Sequence, residues 1–333
     1  VKSKWGVLAG ILVTVVFLVL AFYNVNLGQF WTCFSAYNVW WAVGSVTFFA
    51  GSVLFRALMW RVTTGHMGRT GLATLYGGVT VGYMANNLLP LRAGELIRPY
   101  YLSRKRGFPY AGVLSTVVIE RVTDVVVLSF LLVGGLAAGL GGLDRTRGRE
   151  AVLILLAVVL VLAVGLAALR VVGGRWRGAA GILGRVGAQV EHFAAPLRAL
   201  GSGSRVISVV GLGVLAWLCN WLSMLVLLRG IAYQGSPWTT SLLLLLFVNL
   251  SVLIPSSPGS LGVMQLAFFA ALHPFGVPKA DALALSFIYQ ASIYVFTLGV
   301  GLPFFLQAHL KLSAMPGRNS SGVLAAVRPG KEP

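Results

Sequence analysis

The chain has 333 residues, 57% of them hydrophobic and only 10% charged. Apolar runs recur along its whole length, which excludes a soluble core inside a solvated shell and points to a polytopic membrane protein. Lys and Arg number 26 against 8 Asp and Glu; because they fall in loops between the apolar runs, the cytoplasmic bias of basic residues accounts for them and no nucleic-acid partner is expected.

Residues 1–23 begin with Lys2 and Lys4 and then run apolar for the length of a span, with no small-residue cleavage site following. A retained first helix with a cytoplasmic N-terminus is therefore expected. Residues 24–38 carry no charge and are rich in Trp, Phe and Tyr, as suits an outer interface belt. Residues 39–60 return, with Arg56, Arg61 and Arg69 read as markers of the inside. The next apolar run, 72–89, leads into Asn86-Asn87-Leu88-Leu89-Pro90-Leu91-Arg92-Ala93-Gly94-Glu95 and then to Arg104-Lys105-Arg106. Basic residues at both ends predict a re-entrant helical hairpin that enters from the cytoplasm and turns at residues 86–90.

Residues 111–140 are expected to span outward and 151–169 to span back. The segment 170–205 holds six arginines, which places it inside. Within it, Leu183, Val186, Val190, Phe193, Leu197 and Leu200 recur three and four apart, so 175–203 reads as an amphipathic helix on the inner leaflet. Residues 206–228 exit. A second interrupted region, 242–272, contains Leu253-Ile254-Pro255-Ser256-Ser257-Pro258-Gly259-Ser260-Leu261-Gly262, which repeats the earlier order of two aliphatics, a proline, three residues and a glycine. Few charges flank it, so it is expected to open outward. Residues 282–306 then cross inward to a polar tail, 307–333, expected to be disordered and cytoplasmic.

The expected fold is all-α: about six full spans plus two oppositely facing re-entrant hairpins. Each half, 1–140 and 151–306, reads span, span, hairpin, span, which is an inverted repeat forming one transporter domain over 1–306. Paired interrupted segments in corresponding positions are the sequence signature of a carrier with a midplane site.

The ordered set Asn87-Leu88-Leu89-Pro90, Arg92, Gly94-Glu95 and Arg98, then Glu120-Arg121 and Asp124, then Pro255, Pro258-Gly259 and Leu261-Gly262 resembles the lysylphosphatidylglycerol synthase transmembrane-region family. The best known member of that family is the bacterial multiple peptide resistance factor, whose membrane part is a lipid flippase joined to a cytosolic aminoacyl transferase. The resemblance runs from the first span to about residue 306. The polar residues after the last span are too few for a transferase domain. The resemblance thus implies lipid handling without aminoacyl transfer, in the bacterial or archaeal inner membrane.

Glu120 and Asp124 lie four apart on one helical face, with Arg121 about 100 degrees around. Ionisable groups inside a span are costly and are usually paired or water-lined. They are expected to join Arg92, Glu95 and Arg98 in a polar chamber for an anionic head group; a buried ion network that merely pins hairpin to helix is the competing account. Arginine matches phosphate bidentately, which favours substrate contact for Arg92 and Arg98. Asn86 and Asn87 are expected to satisfy backbone groups at the hairpin tip, with Asn87 also a substrate candidate. Pro90, Gly94, Pro255, Pro258 and Gly262 shape the turns. Ser256, Gly259 and Gln265 are the second hairpin's substrate candidates, the amides near Gly259 offering a phosphate nest. Tyr289, Gln290 and Tyr294 lie near the middle of the last span.

Cys33 and Cys219 are far apart without CxxC spacing and the four histidines are scattered, so neither a metal nor a cofactor is expected. The favoured function is transfer of an anionic phospholipid or polyprenyl-phosphate-type amphiphile between leaflets, with membrane lipids as partners and room for a homo-oligomer. An intramembrane lipid-modifying enzyme, or the membrane subunit of a glycosyl- or acyl-transferase, is the second reading, since an acid pair can also be catalytic. A small-solute carrier is the third and predicts an enclosed site rather than a gap open to lipid. The topology is tested by single cysteines in intact cells. Positions near Lys105 and within 175–205 are expected to resist an impermeant external thiol reagent, while those near Asn26, Arg147 and Lys279 label. Labelling at Lys105 from outside removes the first hairpin and the inverted repeat with it.

Overall fold

The computed structural model describes residues 15–89, 92–137, 203–233, 235–251 and 260–308, together with Leu12. Every regular element among them is helical. Outside the described residues lie Pro90, Pro255, Ser256, Pro258 and Gly259, the expected span at 151–169, all but the last residue of the amphipathic segment 175–203, and the tail from residue 309.

Helix α1 (Val15–Phe22) meets α2 (Leu27–Ala36) at 92°, so the aromatic stretch read as a simple connection contains a helix of its own. The turn at Asn24 takes a left-handed φ of 54°, and Asn26 caps α2 by accepting from the Gln29 amide at 3.1 Å. Asn38 caps the next helix in the same way, accepting from the Trp40 amide at 3.0 Å. The helices α3 (Val39–Thr64), α7 (Gly203–Leu228) and α10 (Lys279–Gln307) are each long and apolar enough to cross a membrane; the bent α1–α2 pair makes a fourth if it counts as one span. Helix α6 (Tyr110–Ala137) is 28 residues long, about 42 Å at the helical rise. Its length suffices for a span, but Glu120, Arg121 and Asp124 interrupt its apolar run.

The remaining helices are short. Helix α4 (Leu72–Leu88, 17 residues) and α5 (Gly94–Arg106, 13 residues) extend about 26 and 20 Å, less than the roughly 30 Å of a bilayer's hydrocarbon core. They pack on one another, and their outer ends meet. The Arg106 guanidinium donates to the Arg69 carbonyl at 2.5 Å, while Gly107 stops α5 in the left-handed conformation at φ 71°. Helix α8 (Pro237–Ser251, 15 residues) and α9 (Val263–Leu272, 10 residues) form a second such pair. Its ends also come together, for a methyl on Gly235 would lie 2.9 Å from the Phe275 ring.

Glycine makes the first pair possible. A Cβ on Gly94 would overlap the Gly82 carbonyl oxygen, and one on Gly82 would sit 3.1 Å from the Arg98 Cβ. On the same helix, Gly78 leaves room for Trp60 of α3, whose ring would be 2.8 Å from an added methyl, and Gly77 does the same for Phe304 of α10. Without a hydrophobic force between helices in lipid, such close backbone approach is what holds them together. The most extensive contact, α3 on α7, follows the same rule. Gly44 lies against Val226, and hydroxyls bond across the seam at Ser45–Ser223 (2.9 Å) and Asn220–Ser52 (2.8 Å).

The contacts also pair off. Helix α3 packs on α4 as α7 packs on α8; α5 packs on α6 as α9 packs on α10; α10 packs on α4 as α6 packs on α8. Two non-glycine residues in the short-helix units have positive φ, Arg92 (53°) and Ser260 (55°). Each stands two residues before the glycine that opens the second helix of its unit, Gly94 or Gly262. In each unit that glycine's N–H is taken by a side-chain amide oxygen, Asn86 Oδ1 at 2.8 Å for Gly94 and Gln265 Oε1 at 2.6 Å for Gly262. Backbone freed at a helix break must find a partner inside the protein.

Replacing Gly94 by Ala is expected to destabilise by about 1–3 kcal/mol, since backbone rather than a flexible side chain must move. Replacing Gly299, which has nothing within 4 Å of an added methyl, is expected to be neutral or stabilising by up to about 1 kcal/mol. Thermal unfolding in detergent checks both, and equal responses would refute the close-packing account.

Candidate functional site

The site is built on α6, whose two carboxylates are buried and face inward between α3, α5 and α7. Glu120 and Asp124 sit one turn apart, so a single guanidinium reaches both. That guanidinium is Arg56 of α3: its Nη1 donates to Glu120 Oε1 at 2.9 Å and to Asp124 Oδ1 and Oδ2 at 3.0 and 3.1 Å. From α5, Arg98 Nη1 donates to the other Glu120 oxygen at 2.7 Å. From α7, the Trp217 indole N–H donates to Asp124 Oδ1 at 2.8 Å. Arg121 of α6 itself closes the group, with Nη2 at 2.9 Å from Glu120 Oε1 and Nη1 at 3.2 Å from Asp124 Oδ2.

Aromatic rings hold the two buried arginines in place. The Arg98 guanidinium lies 4.1 Å from the centroid of Trp60, and Trp60 is itself fixed by an indole bond to Thr116 at 2.7 Å. Arg56 lies 5.3 Å from the centroid of Trp217. Planar, weakly hydrated guanidinium is the cation best suited to such stacking. Thus Gly78 admits Trp60, Trp60 carries Arg98, and Arg98 meets Glu120.

Three guanidiniums face two carboxylates, which leaves one positive charge in excess. At the rim, Glu95 lies 3.7 Å from Arg121 Nε and 3.8 Å from Arg92 Nη2. Arg92 and Glu95 add one charge of each sign and leave the excess unchanged. A narrow cleft opens here, lined by Val79, Gly82, Tyr83, Asn86, Gly94, Glu95, Arg98 and Arg121, with room for about one water molecule (≈ 10 Å³). Arg98 and Arg121, which line it, keep buried N–H donors unused: Arg98 Nε and Nη2 and Arg121 Nε have no hydrogen-bond acceptor among the described residues, and neither does Arg56 Nε deeper in the network. Donors left so are costly unless a ligand or water completes them.

The residues singled out from the sequence divide accordingly. Glu95, Arg98, Glu120, Arg121 and Asp124 come together, with Arg92 at the rim and Gly94 in the cleft wall. Asn87 instead bonds Thr297 of α10 through Nδ2 at 2.9 Å, and its carbonyl accepts from the Tyr294 hydroxyl at 3.5 Å. Gln265 is fully buried and bonds Gly262 and Gln290. Tyr289 is packed against Phe268, ring centroids 5.7 Å apart. Arg56 is the residue whose role the sequence reading missed, since as a basic residue near the end of a span it was taken for a topology marker. A signal was present: Ser45, Ser52, Arg56 and Thr63 recur at seven-, four- and seven-residue steps, drawing one polar stripe along α3. Among the described residues, no group of three or more His, Cys, Asp or Glu is placed to hold a metal ion.

Removing one partner of a buried ion network leaves charge uncompensated, which costs about 3–5 kcal/mol, whereas an exposed pair is worth roughly 0–1 kcal/mol. Arg56→Gln is therefore expected to lower the unfolding midpoint sharply and Arg92→Gln hardly at all. Similar shifts for both would refute the placement of Arg56 at the centre.

Comparison with known proteins bears on the same region. Glycosyltransferase AglD of Haloferax volcanii is 25% identical over 353 aligned positions, which cover 94% of this chain and 56% of that protein. The chain thus spans about half the length of this relative. Residues 7–301 match the family described as the lysylphosphatidylglycerol synthase TM region, and that match takes in every helix and charged residue of the site. Long apolar helices and this match together make the chain a multi-pass membrane protein, and it belongs to the lysylphosphatidylglycerol synthase TM-region family.

Proposed function

We propose that this protein is a lipid flippase, moving an anionic phospholipid or polyprenyl-phosphate-type amphiphile between leaflets. The observation that carries the reading is the excess guanidinium charge at a cleft where Arg98 and Arg121 keep buried donors without acceptors. An oxyanion with several acceptor oxygens, such as a phosphate, fits those donors in number and sign. At its present size the cleft excludes a head group, so binding requires α4 and α5 to part from α6. Glycine-to-backbone contact between α4 and α5 lets the pair move as one piece.

The paired contacts of α3–α6 with α7–α10, the two short-helix units and their matching left-handed residues support an inverted repeat of six spans and two re-entrant hairpins. In that arrangement residues 1–306 form one transporter domain in the cytoplasmic membrane, with both termini inside. The charged site belongs to the first hairpin; its counterpart in the second half is the neutral Gln265–Gln290 pair. One ionic site in a repeated frame suits a single head group, held on one side and guided past the amides on the other.

A second reading has its own support. The relative is named a glycosyltransferase, and a membrane region that binds a lipid phosphate serves equally to present a lipid acceptor to a sugar-transferring domain. Both readings share the anion site and differ in what happens to the lipid.

The test uses proteoliposomes with a labelled anionic phospholipid, measuring the transfer rate and the mass of the recovered lipid. Arg98 also anchors Glu120, so the informative variant is Arg121→Gln: Arg56 still covers both acids and the fold is expected to survive. Loss of a charged hydrogen bond worth about 1.5–3 kcal/mol lowers transfer roughly 10- to 100-fold, and Lys at this position restores only part of it. Transfer with unchanged lipid mass supports the flippase. Lipid that gains a sugar without changing leaflet would establish the second reading instead.

A further inference from the structure

The seven charged groups are not held alike. Glu120 and Asp124 are buried and make ion pairs of 2.7–3.2 Å, within hydrogen-bond range. Glu95 is different: its carboxylate spans Arg92 and Arg121 at 3.8 and 3.7 Å, beyond hydrogen-bond distance. Its side chain is 27% exposed, against 43% for Arg92 and 38% for Arg121. It is held by charge alone, at the mouth of the cleft, between the rim arginine and an arginine whose Nε still lacks an acceptor.

We infer that Glu95 is an internal stand-in for the anionic head group, a clasp that occupies the arginine mouth when the site is empty and is displaced by the lipid phosphate. This rests on the reading of the cleft as a phosphate site. The exchange is neutral in charge: one anion leaves Arg92 and Arg121 and another arrives, so the buried excess is never left more exposed than at rest. It is not neutral in hydrogen bonds. A phosphate oxygen at normal distance satisfies Arg121 Nε and, reaching inward, Arg98 Nε and Nη2, which the Glu95 carboxylate does not reach. The clasp also selects, because the ammonium of a zwitterionic head group offsets part of its phosphate's attraction for the two guanidiniums and so weakens its competition with the carboxylate. The favoured substrate class is therefore a lipid whose phosphate charge is not offset by a cationic group in the same head group.

The experiment is isothermal titration of the full chain in detergent with dioctanoyl phosphatidylglycerol, and separately with dioctanoyl phosphatidylethanolamine. Removing the competing charge in Glu95→Gln is expected to tighten phosphatidylglycerol binding about fivefold, as suits two partly exposed ion pairs, and to leave phosphatidylethanolamine within about twofold. A second variant separates charge from folding: Glu95→Cys, with Cys33 and Cys219 replaced by Ser, alkylated with either iodoacetamide or iodoacetate. The two products differ by one carboxylate, and the neutral one is expected to bind phosphatidylglycerol more tightly. Equal binding by wild type and Glu95→Gln, with equal binding by the two alkylated forms, overturns the clasp and leaves the flippase reading standing. Weaker phosphatidylethanolamine binding by Glu95→Gln overturns it in favour of Glu95 as a receptor for the head-group ammonium. No phosphatidylglycerol binding by any form overturns both the clasp and the phosphate site.

Discussion

Two carboxylates in the middle of an otherwise apolar helix are the constraint around which the described structure is arranged. Glu120 and Asp124 of α6 cannot face lipid, because a charge there costs several kcal/mol. They are covered on three sides, by Arg56 from α3, Arg98 from α5 and Trp217 from α7. Four helices must therefore converge at one level. Such a network adds little net stability over apolar packing, but it dictates which helices are neighbours and in what register, since a displaced turn would leave a buried charge unpaired.

Convergence of that kind needs backbones that approach closely, and the glycines of α4 supply it. Gly77, Gly78 and Gly82 receive Phe304, Trp60 and the first turn of α5, so one helix is packed on three faces. Beside them, Asn86 gives its side-chain oxygen to the Gly94 amide, which lets the chain reverse without an unpaired N–H. In the second unit, Gln265 does this for Gly262. Similar backbone problems are solved by similar side-chain chemistry, although the two units differ in charge. The first carries arginines and acids, the second amides.

An all-paired network would be inert. This one keeps one guanidinium charge in excess and several N–H groups without acceptors, and two of the arginines that carry them, Arg98 and Arg121, line a cleft beside α4 and α5. The excess arises because three arginines converge on two acids, and the unused donors arise because Glu120 takes only one edge of Arg98. Membership of a family named for the membrane region of a lipid synthase points to a lipid-related role in the membrane.

Much of this was legible in the sequence. The membrane class followed from composition, the interrupted units from prolines and glycines within apolar runs, and the acid pair from its four-residue spacing inside a span. These are local properties: periodicity, helix breaking and the cost of charge in lipid act within a few residues of chain. Asn87 and Gln265 were polar residues at the right positions to be taken for substrate contacts, and their bonds to Thr297 and Gln290 depend on α10, which reaches them only in the fold. Arg56 shows the same limit most clearly. One-dimensional reading treats an arginine near a span's end as a marker of the aqueous side, and only packing of α3 against α6 and α7 turns it into the central cation. Residue spacing alone was enough to show that charges would be buried within apolar spans and where the helices would break. Which charge meets which, and that one is left over, was decided by tertiary structure, because ion pairing between helices depends on distances set by packing and not on separation along the chain.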